Sequence, residues 1–308
     1  MGDRLYAAVV IVLWLGAMSW LVAERILPPL TGDRAPMSQL SRQSEPVAWR
    51  IAMDDEPCGV AVLQSVPGSG GSKEVHSLLR IDRLESPDAL PLWMRPFARS
   101  LDGMSFDMRT ILMFDSLDRL HAFKTRIDSD SIGVPIRITG SIRSEKLKLQ
   151  LSVAEIDKQF EHPWPSQAAF GGELTPLVRL NRLYQDRRWT TEVYSPFASP
   201  NAPVEMVEGH VEERLKLFYE GQNLDTWLVQ FESMEKTGSS QQGRLRATLW
   251  VADDGRVLQQ QTQVFGSRLT FLREPEAESQ RLADELLELE RYATTIPLEP
   301  PRADAPAP

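Results

Sequence analysis

The sequence predicts a mainly β protein, a large curved antiparallel sheet with an inserted helix, and three observations predict it. Strict apolar–polar alternation recurs, as in Lys146-Leu147-Lys148-Leu149-Gln150-Leu151 and Arg244-Leu245-Arg246-Ala247-Thr248-Leu249-Trp250-Val251. Such a period places the apolar residues of a strand on one face. Turn signals separate these runs, notably Asp54-Asp55-Glu56-Pro57 and Asp253-Asp254-Gly255, where Asp and Gly accept positive φ at little cost. Helical spacing, by contrast, is convincing in only two places after the amino-terminal segment.

The chain opens with Leu5 to Ala23, nineteen residues without a charge. A helix of that length spans about 28 Å, close to the hydrocarbon thickness of a bilayer. Tyr6 and Trp20 lie near its ends, where an interfacial aromatic belt would sit. Leu21 occupies the place where a cleavable signal wants a small residue. Residues 1–27 therefore read as an uncleaved transmembrane signal-anchor, and residues 28–46, rich in Pro and Ser without apolar period, as a linker. A short leader before a first apolar segment places the amino terminus inside; the charges around it barely discriminate.

An antiparallel β domain is expected over 47–273. Its first strand is Val47 to Met53. The turn Asp54–Pro57 follows, then a strand from Gly59, a Gly-Ser turn at 67–72, and a strand from Val75 to Ile81. An inserted helix is predicted over 90–101, with Leu90, Trp93, Met94, Phe97 and Leu101 at helical spacing. Trp93, Met94 and Phe97 are the candidate apolar ligand contacts, against the plainer reading of core packing. Further strands are predicted at 146–151, 188–194, 224–231 and 244–251. A run from Thr262 to Leu272 places Phe265, Leu269 and Phe271 on one face. Residues 274–293 form an acidic amphipathic helix, best over 276–292, with Leu282, Leu286 and Leu289 in a stripe that could dock a partner or cover the domain edge. Residues 294–308 form a Pro-rich tail expected to be disordered.

Several function classes lose support. The net charge is −9, and the segment from Glu274 onward supplies −6 of it. The main domain is nearly neutral and lacks the basic face that nucleic-acid binding needs. Cys58 is the single cysteine, so no internal disulfide forms; following Pro57, it reads as a structural thiol in a turn. His76, His121, His162 and His210 show no metal-ligand spacing. The paired acids Asp54-Asp55 and Asp253-Asp254, with Asp128 and Asp130, are accounted for by turn chemistry. No Gly-x-Ser-x-Gly elbow occurs, and the Gly68–Lys73 run lacks a phosphate-loop ending. The expectation is a non-catalytic chain without cofactor or metal.

The strand beginning Cys58-Gly59-Val60-Ala61-Val62, the run Ile136 to Leu151, the stretch from Glu173 through Arg188-Trp189 to Pro196 with Pro200-Asn201, and Trp250-Val251 through Asp254-Gly255 to Leu258 resemble an uncharacterised bacterial envelope family with planctomycete-type members. Some of its members lie beside transglutaminase-like domains. That family is similar in fold to the LolA/LppX-type half-barrel, a sheet curled around a helix and a lipid-sized cavity. The resemblance implies a half-barrel on the periplasmic side of the bacterial inner membrane, with a lipid or other apolar ligand. The alternative is a structural or accessory subunit of an envelope complex, holding protein partners through the carboxy-terminal helix.

Overall fold

The computed structural model describes residues 45–68, 71–84, 104–130, 133–164, 169–171, 174–194, 204–234, 244–264 and 267–294. The expected anchor, most of the linker, the inserted helix over 90–101, Phe265 and the Pro-rich tail lie outside them. Among the described residues no helix is long and apolar enough to cross a membrane.

Among the described residues fifteen strands form one sheet. In chain order they are β1 (Val47–Met53), β2 (Glu56–Pro67), β3 (Lys73–Leu84), β4 (Met104–Phe114), β5 (Leu120–Ser129), β6 (Ile136–Arg143), β7 (Lys146–Val153), β8 (Ile156–Pro163), β9 (Ala169–Phe170), β10 (Arg188–Tyr194), β11 (Val204–Tyr219), β12 (Gln222–Ser233), β13 (Arg244–Ala252), β14 (Val257–Val264) and β15 (Ser267–Arg273). Helix α1 (Glu276–Thr294) follows them, over the range where its leucine stripe predicts it.

The strand order is β8 down to β1, then β15 down to β9. Each strand therefore lies beside its neighbour in sequence, and β1 pairs antiparallel with β15. The short β9 is parallel to β10. Among the described residues no ladder joins β8 to β9, so the ring of strands has one open seam. It nevertheless curls back on itself. Phe123 on β5 and Tyr194 on β10 bring their rings to 5.2 Å, although ten places separate these strands in the order. A flat sheet would hold them about 48 Å apart at about 4.8 Å per strand. Trp164, just after β8, closes on the same Tyr194 at 6.0 Å.

Residues directly opposite one another share a face, so the register traces an inner wall. One row runs Leu249, Gln260, Phe271, Ile51, Gly59, Ile81 and Phe106. Trp49, Phe123 and Phe271 are fully buried on this wall, each contributing about 2–3 kcal/mol of apolar burial. The segment 174–187 crosses the wall inside β14. Leu177 N–H donates to Gln260 Oε1 at 2.9 Å, and Val178 O accepts from Val257 N–H at 3.1 Å. Its Leu174 and Val178 join the core around Trp49, while Leu177 and Leu180 join a second core around Trp189, Val229 and Phe231.

Three expectations are corrected. Asp54 and Asp55 alone, at φ 47° and 75°, make the first turn. Pro57 and Cys58 belong to β2, where a register shift opposite Ile51 and Ala52 accommodates Cys58 as a bulge. The run Thr262 to Leu272 is a hairpin rather than one strand: Val264 pairs with Ser267, and Leu269 and Phe271 face inward from β15. Helix α1 packs on the outer face at the middle of the sheet, not at an edge. Leu282, Ala283 and Leu286 lie against Ala48, Val60, Val62 and Leu78. Ser279 Oγ accepts the buried Ala48 N–H at 3.1 Å, and Arg50 pairs with Glu274 at 2.8 Å.

Candidate functional site

The inner wall is largely covered across β1 to β4 and progressively uncovered toward β8. Along one row Leu112 is 1 % exposed and Phe123 is fully buried, Gly140 and Leu149 follow, and Phe160 is only half-buried. Along the next, Met108 is buried, Ile127, Ile136 and Val153 are half-buried, and Ile156 is 57 % exposed. Between them run the buried, hydroxyl-paired Thr110 and Thr125 at 3.0 Å, the half-buried Ile138 and Leu151, and then exposed Lys158. The result is an apolar strip beside the open seam, ending on one ammonium group.

Gly140 allows this wall to stay close-packed. A Cβ there would lie 2.2 Å from the Phe123 ring, so the ring rests directly on the glycine backbone. The opposite half repeats the device, since a Cβ at Gly209 would lie 2.4 Å from the Trp189 indole. An aromatic laid over a paired glycine covers backbone that the glycine leaves bare.

Polar groups flank the strip. His162 stacks on Phe160 with centroids 6.5 Å apart and 16° between planes, and its Nε2 is buried without a hydrogen-bond partner. Lys158, directly opposite Leu151 and two residues from both Ile156 and Phe160, supplies positive charge. An inward lysine on an edge strand also discourages pairing with a foreign strand.

Two larger hollows lie elsewhere. One of about 530 Å³ takes three consecutive residues from each of β5 to β8, including Lys124, Thr139, Lys148 and Glu161, and none from the segments that cover the inner wall. It therefore opens on the polar outer face. Another, of about 700 Å³, is lined by Asp82, Asp107, Asp128 and Asp130 with Arg80, Phe106 and Val134. Asp107 is held by Arg80 at 3.0 Å and Asp128 by Arg126 at 2.7 Å. Among the described residues no group of His, Cys, Asp and Glu could hold a metal ion.

The sequence candidates fare unevenly. Trp93, Met94 and Phe97 lie outside the described residues; the chain leaves β3 at Leu84 and re-enters β4 at Met104. Cys58 is 7 % exposed, and burial, reinforced by the charge of Asp82, pushes its thiol pKa up to about 11. A thiol at that value stays protonated at neutral pH and is a poor nucleophile. The acidic pairs act in turns: Asp54 Oδ1 accepts Arg268 N–H at 3.0 Å, and Asp254 Oδ1 accepts Arg256 N–H at 3.0 Å. Lys158 and Phe160 were not singled out from the sequence, and His162 was weighed there only as a metal ligand; the alternation of Ile156, Lys158, Phe160 and His162 along one strand is too weakly apolar to stand out.

No family model matches the chain, and no curated protein does. Among solved structures it is similar to a beta-barrel-like protein of domain of unknown function DUF1849 from Brucella abortus. That likeness has a TM-score of 0.46 and 9 % identity, and it covers 74 % of this chain and 95 % of that one. No residue role passes across at such a distance.

Proposed function

We propose that this chain is a non-catalytic, membrane-anchored binding module on the periplasmic side of a bacterial inner membrane, holding a lipid or other apolar-tailed ligand on the open inner wall of β5–β8. The observation that carries the reading is the fading cover of that wall, from fully buried Phe123 to half-buried Phe160 and exposed Ile156. An acyl tail laid on Ile138, Leu151 and Phe160 gains affinity in proportion to area, about 25 cal/mol per Å² removed from water. The exposed Lys158 would receive an anionic head group. The anchor and the compartment come from the apolar segment 5–23 and the family resemblance.

The test is titration of the full-length protein with a fluorescent fatty acid, alongside extraction and mass spectrometry of what copurifies. Phe160→Asp should abolish binding. Lys158→Glu should weaken a fatty acid about tenfold or more, as expected for loss of a charge-assisted contact, and leave the corresponding alcohol little changed. Lys124→Glu, on the outer face, should do neither. No copurifying lipid and no saturable binding would sink the proposal. The accessory-subunit alternative has to use a surface other than Leu282, Ala283 and Leu286, which β1–β3 occupy.

A further inference from the structure

The two most exposed large apolar side chains, Phe218 and Leu117, lie at one end of the sheet, while Ile156, Met206 and Leu245 lie at the other. Strand directions show this. β1 begins at Val47, and Arg273, the last residue of β15, is paired beside it with Trp49. The β2–β3 connection lies at that end, as does the β4–β5 turn, because Phe114 pairs with Lys73. So do the β13–β14 turn and the β11–β12 hairpin, because Thr226 pairs with Ala252. The same rim thus carries Leu117 at 68 % exposure, Phe218 at 70 %, and Tyr184 at 56 % in the segment leading into β10.

The β11–β12 hairpin makes the rim a projection. Its pairing continues from Thr226 to Gln222, where β13 has already ended. Four residues at about 3.4 Å each carry its tip about 14 Å outward. Phe218, next to the tip, faces neither core.

At the rim of Phe218 three of the acids are paired, Asp115 with Arg119 at 2.8 Å, Asp118 with Lys73 at 3.0 Å, and Asp254 with Arg256 at 2.6 Å, while Glu220 at the hairpin tip is exposed. The chain also enters the sheet here: residues 1–44, with their uncharged run Leu5 to Ala23, precede Val47 at this rim.

We infer that the rim bearing Leu117, Tyr184 and Phe218 is a membrane-contact surface, inserting Phe218 and Leu117 at the headgroup level of the bilayer that holds the anchor. This rests on the anchored reading above for its geometry but has its own observable. Interfacial contact of this kind needs only a few apolar side chains when a second attachment holds the domain close.

The experiment uses full-length protein, with Cys58→Ala, reconstituted in vesicles of phosphatidylcholine and phosphatidylglycerol. An environment-sensitive dye is placed at Phe218→Cys, at Leu117→Cys, or at Ser129→Cys on the far rim as control. Spin-labelled lipids should quench the first two several-fold more than the control. Flotation of the protein, with and without Val12→Lys and Leu15→Lys in the apolar run, reports the anchor separately. Flotation that needs the apolar run, with rim dyes no more quenched than the control, overturns the rim and leaves the anchor standing. Rim quenching that survives loss of the apolar run supports the rim and overturns the anchor. Absence of both flotation and quenching overturns both.

Discussion

Substituting Gly140 with alanine inserts a methyl group where the Phe123 ring already lies, with ring carbons 2.2, 2.4 and 2.8 Å from the new Cβ. Carbon atoms prefer about 3.5–4.0 Å, so the ring has to move by more than an ångström. It has nowhere to go, because Phe123 is fully buried and packs on Tyr194 at 5.2 Å. Overpacking of this kind costs about 1–3 kcal/mol, and the upper half of that range is expected here. Phe123→Ala alone should cost about 3–5 kcal/mol for the lost burial and the cavity. The double variant is the decisive one. With the ring gone the alanine at 140 meets open space, so it should be little worse than Phe123→Ala, a coupling of about 2 kcal/mol. Urea unfolding followed by tryptophan fluorescence gives all four corners of the cycle. Additivity within about 0.5 kcal/mol would refute the argument that ring and glycine form one unit.

Other outcomes can be stated briefly. The raised Cys58 pKa has a sign: between about pH 9 and 11 the unfolded chain loses a proton that the fold retains, so stability falls as pH rises. Two units correspond to about 2–3 kcal/mol, and Cys58→Ala should show a smaller alkaline loss than the parent by that amount; parallel curves would contradict the assignment. Ser279→Ala leaves Ala48 N–H buried without its acceptor and should cost about 1–3 kcal/mol, with faster proteolysis within α1 as the specific sign. If α1 remains as protected as in the parent, Ser279 does not fasten it.

Part of the sheet was legible where a strand has one wet and one dry face, though β4 and the alternating β5 were not read as strands. β7 and β10 alternate in burial over their first four residues, β13 does so toward its end, and all three start where alternation in the sequence begins. β8 was missed because none of its residues is fully buried, so Ile156 to His162 carries little apolar contrast. β11 was missed for a different reason. Val207, Val211, Leu215 and Phe218 recur at helical spacing amid charged residues, and only cross-strand pairing on both sides shows it to be extended. The turn predicted through Pro57 failed because a bulge lets proline and cysteine sit inside a strand. The candidate site suffered most: its polar flank lies on the missed β8, and its meaning depends on which inner residues neighbouring strands leave uncovered, a property of register rather than of local sequence. The leucine stripe of α1 was read correctly as apolar, but a stripe does not say what it faces.

Because β1 starts and β15 ends at the same rim, the two ends of the domain leave it side by side, from the centre of the sheet rather than from its seam. Tension between a tethered amino terminus and the carboxy terminus would first lift α1 off Ala48 and Val62. It would then open the β1–β15 ladder one rung at a time, from Trp49–Arg273 toward Met53–Leu269. A ladder loaded this way parts at low force, since its hydrogen bonds break in succession instead of sharing the load. Mechanically the protein is a zipper whose pull-tab is the acidic helix, and a force applied across its ends would divide the sheet at the middle while the ladders on either side stayed paired.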